Sequence, residues 1–226
     1  MKIHRPILAI AAALACMFTS AAQAALMLDF DDNNAGIVTQ SGYTSVTIAG
    51  DTILSDIGIG GSVLISFASD GSIDDRERGA MDGSQPLGDL GRDFIFGNRG
   101  GGTTYLDVTI SGIKAGTYVF TGYYHEINNG GGNATIDVDF DIGSGLVDGA
   151  TVARTFGTNP AGGLATGVFS FTSDGINPLR VRTVSNVNGH LMNGLDVAAA
   201  VPEPSTLILT TLGLLCLGMT RRRRRC

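Results

Sequence analysis

The sequence predicts an all-β fold, a single β-sandwich of the jelly-roll kind, set between two apolar end segments. Three observations carry this. Short runs rich in β-branched and aromatic residues alternate apolar with polar side chains. Clusters of Gly, Asn and Asp separate those runs, and the chain holds 33 glycines against six prolines. Between residues 25 and 200 no stretch repeats its apolar residues at the helical period. That body is long enough for one hydrophobic core.

Residues 1–24 read as a secretory signal peptide. Lys2, His4 and Arg5 form a basic start, residues 7–18 are apolar, and Ala22-Gln23-Ala24 offers a small-residue cleavage site. The mature chain is therefore expected to begin at Ala25, after passage through the general secretion machinery.

The strands follow in order. Residues 26–29 form a first strand, closed by Asp31-Asp32-Asn33-Asn34. Residues 43–48 and 63–68 come next, with 53–59 as a looser apolar run between them. Residues 69–93, rich in Asp, Gly, Ser and Arg, read as a long irregular connection, and 70–78 within it as a solvated loop. Arg92-Asp93, ahead of the apolar run Phe94-Ile95-Phe96, reads as a pair that anchors the loop, with a ligand-contacting pair as the alternative. In residues 104–111, Leu106, Val108 and Ile110 share one face and Asp107 and Thr109 the other. The turn at 112–116 leads to a return strand over 117–126, with Tyr118, Phe120 and Tyr124 on one face. After the loop tip at 128–133, residues 135–142 alternate again. Ile136, Val138, Phe140 and Ile142 face inward, and Asp137, Asp139 and Asp141 outward. Residues 152–156, 168–172, 179–184 and 195–197 complete the set.

The last 26 residues, 201–226, have three parts. Pro202-Glu203-Pro204 cannot sit inside a helix or a paired strand. Residues 205–220 are uncharged and mostly apolar, long enough as a helix for a short membrane span of about 24 Å. Arg221 to Arg225 then hold that end on the cytoplasmic side. This tail resembles the PEP-CTERM sorting signal of exported bacterial proteins, through Pro202-Glu203-Pro204, the apolar span and the arginine cluster. The resemblance implies recognition by an exosortase-type membrane transpeptidase that cuts near the Pro-Glu-Pro motif. It also implies delivery to the cell envelope, the surface or the extracellular medium, and an association with exopolysaccharide. In the body, Lys114-Ala115-Gly116-Thr117-Tyr118 and Asn193-Gly194-Leu195 resemble turns of galactose-binding-like jelly rolls.

Charge and cysteine usage narrow the function. Setting aside Lys2, Arg5, the five tail arginines and Glu203 leaves eight basic and twenty acidic residues in 25–200. A body about twelve charges negative disfavours nucleic acid and anionic lipid, and suits cations or neutral glycans. Cys16, Cys216 and Cys226 all lie in the end segments, so the body offers no disulfide and no thiolate.

The most chemically loaded run is Tyr123-Tyr124-His125-Glu126, followed by Asn128. One tyrosine face can stack on a sugar ring, while His125, Glu126 and Asn128 bond its hydroxyls. Neighbouring tyrosines on a strand point to opposite faces, so at most one joins such a platform. The plainer reading is one core tyrosine and a solvated strand end. Calcium has two candidate places, Asp29 with Asp31 and Asp137 with Asp139, against the plainer reading of solvated carboxylates. No nucleophile elbow, paired-histidine metal motif or phosphate loop is present. The expectation is a non-catalytic envelope or matrix protein that binds glycan, or a matrix protein with no ligand. The alternative is a carbohydrate-active enzyme on a jelly-roll scaffold.

Overall fold

The computed structural model describes residues 25–32, 38–55, 59–98, 105–128, 134–185 and 190–200. The expected signal peptide, Pro202-Glu203-Pro204, the apolar span and the arginine cluster lie outside the described residues.

Fifteen strands are described, and they form the expected β-sandwich. In chain order they are β1 (Ala25–Phe30), β2 (Thr44–Val46), β3 (Thr52–Ser55), β4 (Ser62–Ala68), β5 (Ile73–Glu77), β6 (Asp93–Gly97), β7 (Tyr105–Ser111) and β8 (Gly116–Glu126). Then follow β9 (Thr135–Asp141), β10 (Val147–Ala153), β11 (Thr155–Phe156), β12 (Ala165–Ser173), β13 (Leu179–Ser185), β14 (Leu191–Met192) and β15 (Gly194–Ala199).

One sheet carries β8 at its centre, with β12 and the short β11 on one side and β15, β1 and β2 on the other. The facing sheet runs β10-β9-β13-β7-β4-β3. A small third sheet, β14-β6-β5, adds to these. The core lies between the two large sheets. Leu26, Leu28, Phe30, Phe120, Leu195 and Val197 come from the first, and Leu106, Val108, Ile110, Ile136, Val138 and Val181 from the second. Strand alternation places them there, because every second residue of each strand meets the opposite sheet.

Two readings of the sequence need correction. Residues 104–111 and 117–126 are not the two arms of a hairpin. β7 pairs with β4 and β13, whereas β8 pairs with β12 and β15 in the other sheet. The connection at 112–115 is a crossing between sheets. Gly112 permits it, with φ of 88° and no room for a Cβ beside the Ser62 carbonyl. Within 69–93, the expected irregular stretch, β5 pairs with β6 over five residues. Its charges are accommodated because the Arg76 guanidinium lies 4.7 Å from the centre of the Phe96 ring. Arg92 anchors the loop by pairing with Glu77, while Asp93 turns inward and is buried.

Candidate functional site

The loaded run ends β8, and strand alternation divides it. Tyr124 points between the sheets and is fully buried. Its hydroxyl has no hydrogen-bond partner, and burial raises its pKa. A Cβ on Gly122 would collide with that hydroxyl, so the glycine makes room for the ring.

Tyr123 and His125 lie on the outer face of the β8 sheet, yet neither is open to solvent. Residues 78–92 fold over this end of the face. Met81 and Leu164 pack at Gly91, close to the His125 ring, and Leu90 packs over Gly194. Burial, first of all, lowers the His125 pKa to about 4. The nearby Arg154 charge adds to this, and the Gly157 backbone offsets part of it. His125 Nδ1 stands 3.0 Å from Thr155 Oγ1.

Glu126 is buried between two arginines. Arg78 Nη2 donates to one carboxylate oxygen at 3.1 Å, and Arg154 Nη1 pairs with the other at 2.9 Å. Asn128 is exposed. The five candidates therefore do not share a surface. Tyr124 belongs to the core, Glu126 to a buried ion cluster and His125 to a covered face.

Tyr123 instead joins two residues distant in sequence. Its hydroxyl donates to Asp196 Oδ2 at 2.7 Å, and the Tyr43 hydroxyl reaches Tyr123 at 3.2 Å and Asp196 at 3.3 Å. Burial raises the pKa of Asp196 and of Tyr43, and pushes Tyr123 up to about 12. Asp196 alternates outward between Leu195 and Val197, a signal visible in the sequence. Nothing local marks Tyr43 as its partner.

Two groups of carboxylates stand out, and one of them converges closely enough for a cation. On the outer face of the second sheet, one oxygen each from Asp137, Asp139 and Asp148 lies within 4.8 Å of the others. Asp148 joins because β10 pairs with β9 and sets it opposite Asp139. The Asp139 pKa is raised, by burial and then by Asp137 and Asp148. Asp137 and Asp148 are exposed. Arg182, opposite Asp139 on β13, is committed elsewhere. Its guanidinium grips Asp107 through two 2.7 Å bonds and lies 3.6 Å from the Tyr105 ring centre.

The second group is buried. Asp29 and Asp31 lie at the end of β1, and Asp93 at the start of β6. Burial, opposed by a hydrogen bond from the Gln40 N–H and aided by Asp31 and Asp89, raises the Asp29 pKa to about 7. Burial, with Asp31, Glu77 and Asp29 adding and Arg92 opposing, raises Asp93 to about 8.

Against known families, residues 200–225 match the PEP-CTERM protein-sorting motif. Comparison with curated proteins returns no match. Among solved structures the chain is similar to a Bacteroides uniformis beta-glucuronidase 2 covalently bound to cyclophellitol-6-carboxylate aziridine, with 10% identity and a TM-score of 0.38. The alignment covers 70% of this chain and 20% of that one. A likeness of that size carries no argument about chemistry.

Proposed function

We propose that this chain is an exported cell-envelope or extracellular-matrix protein, delivered by an exosortase-type transpeptidase, and that its β-sandwich is a non-catalytic body. The observation that carries the reading is the sorting motif at 200–225, which follows directly on the last strand. Ala200 N still donates to Thr117 O at 2.8 Å, so one residue separates the pinned backbone from Pro202. The processing enzyme would then act close against a folded body.

The burial of the loaded run supports the non-catalytic reading. His125 is fully buried where it meets Thr155, and Glu126 is held between Arg78 and Arg154. The glycan reading rests on Tyr43, Tyr123 and Asp196, because Asp196 keeps a buried oxygen without a partner beside two tyrosine hydroxyls. A glycan-array signal lost in Tyr43→Ala at unchanged melting temperature would support it. A blank array would favour a matrix body with no ligand.

The sorting claim is tested by intact mass of the mature protein from its own host, with and without the sorting enzyme. A C-terminus within 202–205 that needs the enzyme is the expected result. Retention of residues 221–226 in the presence of active enzyme would overturn the reading and leave a single-pass anchor.

A further inference from the structure

The strand registers gather one set of turns at the end of the sandwich where the tail leaves. In the first sheet Ala199 pairs with Tyr118, Ser173 with Gly116 and Ala25 with Ala198. In the second sheet Leu179 pairs with Ile110 and Arg180 with Asp141. The turns at 112–115, 142–146 and 174–178 therefore lie together, at the end that Ala200 leaves. They touch one another: a Cβ on Gly175 would meet Ala115 N at 3.0 Å, and one on Gly143 would meet the Asn177 side chain at 2.7 Å. The buried run from Tyr123 to Glu126 is at the opposite end, because β8 has 11 residues and is about 35 Å long.

The turns beside the tail hold out apolar side chains. Ile176 is 87% exposed, Val147 48% and Leu146 39%. Charge at this end is close to balanced, although the body as a whole is strongly negative. Asp141 pairs with Arg180 at 2.8 Å and accepts from Gly143 N and Gly145 N. Asp174 accepts from Ile176 N and Asn177 N within its own turn. Lys114, the one lysine between 25 and 200, is exposed here. Asp56, between β3 and β4, is outside the described residues. Only 201–204 separate Ala200 from the apolar span, and the chain from Ala200 to Ser205 reaches at most about 18 Å. We propose that, before processing, Leu146, Val147 and Ile176 rest in the membrane interface, so that the sandwich stands end-on with the covered face of β8 away from the lipid. Apolar side chains beside a lysine suit that layer, where the stems are buried and the ammonium stays among the headgroups. A near-neutral end meets lipid without the repulsion that the rest of the body imposes. The contact is small, and it forms because the tether holds it at high effective concentration. It rests on the reading of 205–220 as a membrane span.

The chain has no tryptophan, so a single introduced one reports its own surroundings. The test places Ile176→Trp, Leu146→Trp or Phe156→Trp in the unprocessed mature chain, residues 25–226. Each variant is put into nanodiscs of phosphatidylcholine, with or without bromine on the acyl chains near the headgroup. Phe156 is the control, 44% exposed and paired with Glu126 at the far end. Bromine is expected to cut the emission of Ile176→Trp and Leu146→Trp about twofold or more, and to leave Phe156→Trp unchanged. Both tested positions are exposed, so the melting temperature should hold, and the two turns give independent readings. Co-elution of the chain with the discs reports the membrane span separately. A chain that co-elutes but is quenched at neither 176 nor 146 overturns the end-on contact and leaves the span standing. A chain that fails to co-elute overturns both. Quenching at 156 as well would mean that the body lies on its side. A blue-shifted but unquenched emission at 176 would assign this end to a second copy of the chain. Either result overturns the proposal.

Discussion

At the scale of the residue, burial decides what each side chain of the loaded run can do. Tyr124 carries a buried hydroxyl with no partner, so Tyr124→Phe removes a desolvated group and loses no bond. Stability in urea is expected to hold or to rise by about 1 kcal/mol. A drop larger than that would mean the hydroxyl is bonded in solution. His125 is neutral in the fold, with its pKa lowered to about 4 against 6.5. The unfolded chain therefore binds the extra proton first. Stability is present above about pH 6.5 and is lost as pH falls toward 4, by on the order of 3 kcal/mol. Other acids titrate in the same range, so the readout is the difference between wild type and His125→Gln, whose acid limb should be flatter. The sequence showed that these residues were unusual. It did not show their burial, because the cover comes from Met81, Leu90 and Leu164, far away along the chain.

At the scale of the element, alternation was legible and pairing was not. The inward sets of β7, β8 and β9 follow directly from their period of two. The partner of each strand does not, since a crossing turn and a hairpin turn use the same residue types, as 112–116 shows. β5 escaped notice because Ile73–Glu77 reads IDDRE, with no apolar alternation; it is a strand because β6 offers it a ladder and aromatic faces. Phe169 on β12 joins the two sheets at one side. Its ring stacks on Phe120 at 4.7 Å within its own sheet and on Phe140 at 4.4 Å from the other. Phe169→Ala should cost about 3–5 kcal/mol, read from the denaturation midpoint. Gly194 opens β15, where a Cβ would collide with the Leu28 carbonyl and the Leu90 side chain. Gly194→Ala is expected to cost about 1–3 kcal/mol through lack of space, and to loosen residues 78–92 in hydrogen exchange.

At the scale of the whole molecule, the ends and the body carry opposite charge. The tail holds five arginines, and the body between 25 and 200 is about twelve charges negative. Anionic vesicles should therefore repel the processed body and hold the unprocessed chain, by its apolar span and its arginines together. Flotation with phosphatidylserine vesicles at low salt reads this directly. The unprocessed chain is expected to float and the processed one to stay below. Flotation of both would mean that the sandwich has a membrane-binding surface of its own.

The all-β class, the inward faces of the long strands and the sorting tail were legible from the amino-acid order. Each of these is local: a period of two, a proline pair, an apolar run and a charge cluster act within a few neighbouring residues. The three-dimensional packing decided that Tyr124 is core, that Glu126 lies between Arg78 and Arg154, and that Tyr43 and Asp196 meet Tyr123. Those contacts join residues tens of positions apart. They follow from which strands neighbour one another, and backbone pairing in a sandwich is set by the burial of the whole core rather than by any one segment.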